Sequence, residues 1–283
     1  MKLALGFAAS AAAFAVTLFA VTPASASMTG LFPSISDVEP ELLNIEEAKF
    51  LGLKLDENLA ITAADGREFT LGDFKGRPLI LILSYFTCDG ICPAFNSDLL
   101  SVLKKVVSFS KVKPGVDFNV LTVSFDKNDN KESSGMFVRN MNIPKGLSES
   151  WRVGVFKNQE DIKKTASALG FNFFWSPGDH VFLHPSVYYF ISPDMRVERI
   201  LKSMVAEPRD MELAILDANF RKLAPSDVMR MALGMCYSYN YKEGKYYLNY
   251  PMFISFGSMI TGAAVFILAA SVYKRKEKDS RRT

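Results

Sequence analysis

The chain predicts an α/β fold with an export signal in front and a single membrane helix behind, and three observations predict it. Pro78 to Phe86 is a nearly continuous apolar run, as a strand buried on both faces requires. Phe95, Leu99, Val102, Leu103 and Val106 then recur at helical spacing, the stripe of an amphipathic helix, and Phe118 to Phe125 is a second apolar strand. Both ends of the chain carry long apolar runs that suit topology signals better than a core.

The N-terminus opens Met1-Lys2 and continues as an alanine-rich apolar run to about Val21, followed by Ala24-Ser25-Ala26. A positive head, an apolar middle and small residues at the cut predict a secretory signal peptide over 1–26. A lead-in segment over 27–60 mixes acidic and apolar residues without a clear period. At the other end, 251–273 is apolar and uncharged, and Lys274, Arg275, Lys276, Lys278, Arg281 and Arg282 follow it. A helix that long spans a hydrocarbon core, and the basic tail over 274–283 predicts a cytoplasmic C-terminus. The expected setting is a bacterial inner membrane with the main domain in the periplasm. Tyr246, Tyr247, Tyr250 and Tyr273 flank the span as an interfacial belt would.

Between these ends the elements alternate. Asp65-Gly66-Arg67-Glu68 predicts a hairpin turn between short strands. The first buried strand and its helix lead to the strand ending at Phe125, then to a polar turn over Asp126–Asn130. A helix is expected over Glu132–Met141, a strand over Trp151–Phe156, and a helix over Glu160–Leu169 capped by Gly170. Pro185–Ile191 and Val197–Leu201 form a strand pair around Ser192-Pro193-Asp194, and Arg209–Phe220 is a closing helix. Strand, helix, strand, helix, then a hairpin with a closing helix is a thioredoxin-like order, expected over 61–221. Residues 222–250 are expected to be a tyrosine-rich connector to the membrane.

The chemistry concentrates in Thr87-Cys88-Asp89-Gly90-Ile91-Cys92-Pro93, placed between the buried strand and the amphipathic helix. Sulfurs at a helix N-terminus are favoured as thiolates, and the spacing is nearly one helical turn, so both side chains can face one way. Three readings stay open on spacing alone: a structural disulfide, a dithiol/disulfide redox pair, and a soft-metal site for Cu(I) or Zn(II). The chain has only two histidines, His180 and His184. His184 stands just before a predicted strand, and in a thioredoxin-like fold the loop leading into that strand faces the cysteine loop. A neutral imidazole there completes a Cys88, Cys92, His184 ligand set. His180 is expected to be exposed or to assist from behind.

With those three residues in hand, the chain resembles the Sco/SenC family, in the branch with a C-terminal membrane helix. The resemblance rests on Gly76–Cys88, Ile91-Cys92-Pro93, Val123–Asp126 and Leu183–Ser186, and runs from about Asp65 to Tyr250. It implies a thioredoxin-like domain that binds copper through Cys88, Cys92 and His184 and assists assembly of the binuclear copper centre of cytochrome c oxidase. Family members act as copper donors, as thiol reductants, or both. The implied partners are the copper-bearing oxidase subunit and a thiol-disulfide reductant or another copper chaperone. Three features depart from the pattern: Leu183 before the histidine, Pro185 after it, and Cys236-Tyr237-Ser238 where relatives show Cys-aromatic-His.

Other features carry less. Cys236 with Met231 and Met235 offers soft donors, but a helix end packing its apolar face, with one thiol, explains them better. Asp126 and Asp129 are expected in a solvated turn. A peroxidatic role for Cys88 fits less well than copper beside Cys92 and His184. A net charge of +3 without a basic stripe makes nucleic acid an unexpected partner, and no glycine loop suggests a phosphate site.

Overall fold

A computed structural model describes residues 40–87, 91–219, 236–241 and 243–280. The expected signal peptide lies outside the described residues.

Strands β1 (Ala60–Ala63) and β2 (Glu68–Thr70) pair antiparallel around the expected turn, where Gly66 takes φ 88°. Strand β3 (Leu79–Ser84) is buried at every position. Its alternate residues serve two cores: Leu79, Leu81 and Leu83 pack on one face of the sheet, Ile80 and Ile82 on the other. That double burial is why the sequence shows an unbroken apolar run. Helix α1 (Ile91–Phe109) crosses to β4 (Asn119–Ser124), which lies parallel to β3 with Ser84 opposite Ser124. Helix α2 (Lys131–Met141) starts at Asn130, whose side chain accepts the Ser133 N–H. A short helix α3 (Lys145–Ser148) leads to β5 (Trp151–Phe156), parallel to β4.

Helix α4 (Gln159–Ala168) ends before Gly170, which adopts φ 66° as the expected cap. A separate two-stranded ribbon follows, β6 (Phe174–Ser176) with β7 (Val181–Leu183). Strands β8 (Val187–Ile191) and β9 (Val197–Lys202) then return antiparallel, and α5 (Pro208–Asn219) closes over them. The seven-stranded sheet runs β2-β1-β5-β4-β3-β8-β9. The βαβ unit beside an antiparallel hairpin and its closing helix is the thioredoxin-like arrangement.

The described part of the lead-in packs onto this domain. Gly52 N–H donates to the Val197 carbonyl, Val197 N–H to Leu53, and Leu55 N–H to Met195, while Leu55 and Leu59 are buried. These bonds cover the start of β9, at the edge of the sheet. No period shows in the sequence because the pairing is by single bridges and not a ladder.

Within 222–250 the structure adds a second ribbon, β10 (Tyr237–Asn240) with β11 (Lys245–Leu248). Tyr246 is not an interfacial residue: it pairs with Tyr239 on the ribbon face turned to the domain, and its hydroxyl bonds Asp217. Strand alternation sends Tyr246 inward and Tyr247 outward. Helix α6 (Tyr250–Ser280) is the one helix among the described residues long and apolar enough to cross a membrane, over Tyr250–Ser271 with a mean hydropathy of 2.0. Its apolar side chains are exposed, Ile254 at 72% and Phe266 at 74%, so it is not a core helix.

Candidate metal centre

The site starts where β3 ends. Tyr85 is buried just past the end of β3, and Phe86 and Thr87 follow it in the chain. Cys88, Asp89 and Gly90 lie outside the described residues. Cys92 falls in the first turn of α1, with Pro93 beside it, where a missing N–H costs nothing; its side chain lies outside the described part. Of the three expected ligands, His184 alone is described as a side chain, so the set is not seen assembled. Among the described residues no group of three His, Cys, Asp or Glu side chains stands close enough to hold a metal.

His184 follows directly on β7, half-buried in an aromatic box. Its ring centroid lies 5.2 Å from Phe125, 5.7 Å from Phe171 and 6.1 Å from Tyr85. Phe182 closes the box against Tyr85 and Phe125, and its N–H donates to the Tyr85 hydroxyl at 3.3 Å. Burial pushes the imidazole below its ordinary pKa, opposed by the bond to Pro185, so the ring is neutral at pH 7. His184 Nδ1 stands 2.9 Å from the Pro185 carbonyl oxygen. A carbonyl only accepts, so Nδ1 carries the hydrogen and Nε2 carries the lone pair. That is the state in which imidazole binds a metal, with its second nitrogen anchored to a backbone carbonyl.

Asp129 is a residue the sequence reading placed wrongly. It is buried, 8% exposed, not in a solvated turn. Its Oδ2 accepts the Phe86 N–H at 2.7 Å and the Ser124 hydroxyl at 2.5 Å, joining the ends of β3 and β4 just before the cysteine loop. Asp126 is buried too, and its Oδ1 accepts both nitrogens of Asn128 at 2.9 Å. These bonds tie the turn to itself and to the end of β3, and no group of three metal-ligating side chains gathers there among the described residues. On the helix side, Asn96 is fully buried and donates to Ser84 Oγ at 3.0 Å. The only sequence hint of this scaffold is a set of small polar residues at the ends of apolar elements.

His180 sits exposed in the β6–β7 turn at φ 53°, its ring 6.4 Å from Trp175. Cys236 is partly exposed at the foot of β10, and its carbonyl accepts the Asn249 N–H. Met231 and Met235 lie outside the described residues. A cleft of about 510 Å³ opens beside His184, walled by Glu47, Pro185, Lys202, Tyr241 and Gly244 among others.

A family model described as SCO1/SenC matches residues 52–216. The chain belongs to that family. Two crystal structures from Aquifex aeolicus VF5, with provisional names for electron transfer and electron transport, each share 28% identity with this SCO1/SenC chain. Each covers 60% of this chain, and 95% and 99% of their own chains, with TM-scores of 0.54 and 0.52. Arabidopsis thaliana ScoI with copper bound is more distant, at 19% identity, 61% of this chain, 99% of its own and a TM-score of 0.48. No curated protein sequence matches the chain. The matched stretch of the SCO1/SenC domain begins in the lead-in and ends within α5, so the β10–β11 ribbon and α6 fall beyond it.

Proposed function

We propose that this SCO1/SenC chain binds copper through Cys88, Cys92 and His184 and delivers it during assembly of the copper centre of cytochrome c oxidase, with the copper-bearing subunit as recipient. The observation that carries the reading is the His184 imidazole: neutral, turned by the Pro185 carbonyl so that Nε2 bears the lone pair, on the loop before β8. Two thiolates and one imidazole form a soft set that suits Cu(I). Three ligands leave the copper shell open, so a recipient's thiolates can enter before the donors leave. The basic tail beyond the apolar part of α6 supports a domain outside the inner membrane and a cytoplasmic C-terminus, with 1–26 as the export signal.

The test is copper stoichiometry of the reduced protein, loaded anaerobically, beside His184→Ala. One copper per chain that is lost or greatly weakened in the variant supports the reading. Absence of stable copper, or binding indifferent to His184, refutes it. A second reading has one observation in its favour: Cys92 in the first turn of α1, where the helix dipole favours a thiolate. In that reading Cys88 and Cys92 reduce a disulfide, one thiolate forming a mixed disulfide and the other resolving it. Thiol exchange that survives His184→Ala intact, without copper retention in either protein, selects this alternative.

A further inference from the structure

The β10–β11 ribbon takes no part in the ligand set, yet it is fastened to the domain by polar groups that are half-buried or, at Asp210, buried. Tyr246 O–H donates to Asp217 Oδ2 at 2.5 Å, and Arg199 Nε donates to the same oxygen at 3.0 Å. Tyr246 N–H donates to Asp210 Oδ1 at 3.1 Å, while the other oxygen of Asp210 accepts the Glu207 N–H at the start of α5. One buried carboxylate therefore serves both the ribbon and α5. Tyr239 O–H donates to the Ile200 carbonyl at 2.7 Å, and the Arg199 guanidinium lies 5.2 Å from the Tyr239 ring centroid. At the tip, Gly244 lies so close to β9 that a Cβ there would meet Lys202 Cγ at 3.2 Å.

The other end of the ribbon runs into the membrane helix without a joint. Asn249 N–H donates to the Cys236 carbonyl at 2.8 Å, closing the foot of the ribbon. The Asn249 carbonyl accepts the Met252 N–H at 3.1 Å and the Phe253 N–H at 3.4 Å, opening α6. One residue belongs to both elements. The tip, meanwhile, reaches the candidate centre: Tyr241 and Gly244 wall the cleft that holds His184.

We propose that β10–β11 is a rigid strut, standing on the lipid interface, that fixes the height of the His184 site above a bilayer crossed by α6. This rests on the membrane reading of α6. Strands of four residues at about 3.3 Å per residue set the tip roughly 13 Å from the foot. At the foot Leu248 and Tyr250 are exposed, and an amphipathic ring with an apolar neighbour suits the headgroup region. A site held at that height fits a recipient that is itself held in the membrane.

The experiment uses the full chain in vesicles whose headgroups carry a dansyl acceptor. The chain has two tryptophans. Trp175 packs on Phe182, two residues from His184, so it reports on the site. Trp151→Phe makes it the sole donor, and the comparison is repeated with both tryptophans in case that variant folds poorly. Six Gly/Ser residues inserted between Asn249 and Tyr250 form a coil with a reach of about 13 Å, comparable to the strut. The expected result is clear energy transfer in the parent, lower by about half or more in the insertion variant, with copper stoichiometry unchanged. Asp217→Asn combined with Tyr246→Phe unfastens the ribbon without lengthening the chain and is expected to act in the same direction. Equal transfer in parent and insertion variant, or none in the parent, overturns the strut while the protein still co-floats with vesicles. A chain that does not co-float overturns the membrane reading and the strut together.

Discussion

Replacing Asp129 tests whether the end of β3 is held by one carboxylate. Its Oδ2 accepts from Phe86 N–H and Ser124 Oγ in a site only 8% exposed. A hydrogen bond to a charged group contributes about 1.5–3 kcal/mol, and a neutral one about 0.5–1.5 kcal/mol. Asp129→Asn keeps one acceptor oxygen and makes both bonds neutral, a loss of roughly 2–3 kcal/mol before the relief of no longer burying a charge. A net cost of about 1–2 kcal/mol is expected. Asp129→Ala removes both bonds and leaves the Phe86 N–H buried without a partner, so about 3–5 kcal/mol is expected. For a domain of this size about 1 kcal/mol moves Tm by roughly 2–4 °C, which puts the two variants clearly apart in thermal unfolding. Because Phe86 feeds directly into Thr87 and Cys88, both variants are also expected to retain copper less well than the parent, alanine worse than asparagine. If Asp129→Ala melts within a degree or so of the parent, the carboxylate does not hold this junction. If it melts low but keeps copper as tightly, the junction is structural and does not position the cysteine loop.

Two further outcomes follow from local geometry. A Cβ at Gly154 would lie 2.4 Å from the Thr62 carbonyl oxygen and 2.9 Å from Ile61 Cγ2, so Gly154→Ala must push β1 away from β5. A cost of about 3 kcal/mol is expected, at the upper end for overpacking, and an unchanged Tm would show that β1 yields freely. Glu47 is buried, and its carboxyl is pushed above the ordinary range by desolvation, against the opposing bonds from Ile200 N–H and Tyr239. The folded state therefore holds that proton more tightly than the unfolded chain, and stability falls as pH rises from the ordinary carboxylate range upward. Glu47→Gln keeps an acceptor for Ile200, so it is expected to be more stable than the parent at about pH 7 and to lose that advantage toward about pH 4. Urea unfolding at the two pH values checks the sign, and a parent that is the more stable at neutral pH refutes it.

How much was legible in the chain depended on whether the signal was local. The β3–α1–β4 unit could be read because double-faced burial leaves an unbroken apolar run and an amphipathic helix leaves a stripe, and β5 spans the expected Trp151–Phe156. The β6–β7 and β10–β11 ribbons were missed because strands of three or four residues are too short to leave a period to count. Tyr246 was misplaced for a related reason: nearness to an apolar span says nothing about which face of a ribbon it occupies. Asp129 was misplaced because Asp126–Asn130 has the composition of an exposed turn. Its partner, the Phe86 N–H, is distant in sequence and approaches only through the parallel pairing of β3 with β4. His184 could be singled out because histidine is scarce here and one of the two precedes a strand. Its tautomer could not, since that depends on where the Pro185 carbonyl points.

That carbonyl has a consequence for how metal could leave. The group that orients His184 belongs to the very next residue, so the ring takes its aim from its own dipeptide and not from a distant element. If the segment between β7 and β8 swings outward, the imidazole and its anchor travel as one piece, and the lone pair stays on the same nitrogen throughout. Detachment then needs no proton shift and no re-pairing inside the core, only a change in where a preformed ligand is carried. On the proposed Cys88, Cys92 and His184 ligand set, retention and release would be two positions of one cartridge, separated by the contacts of the aromatic box and not by any change in the ligand itself.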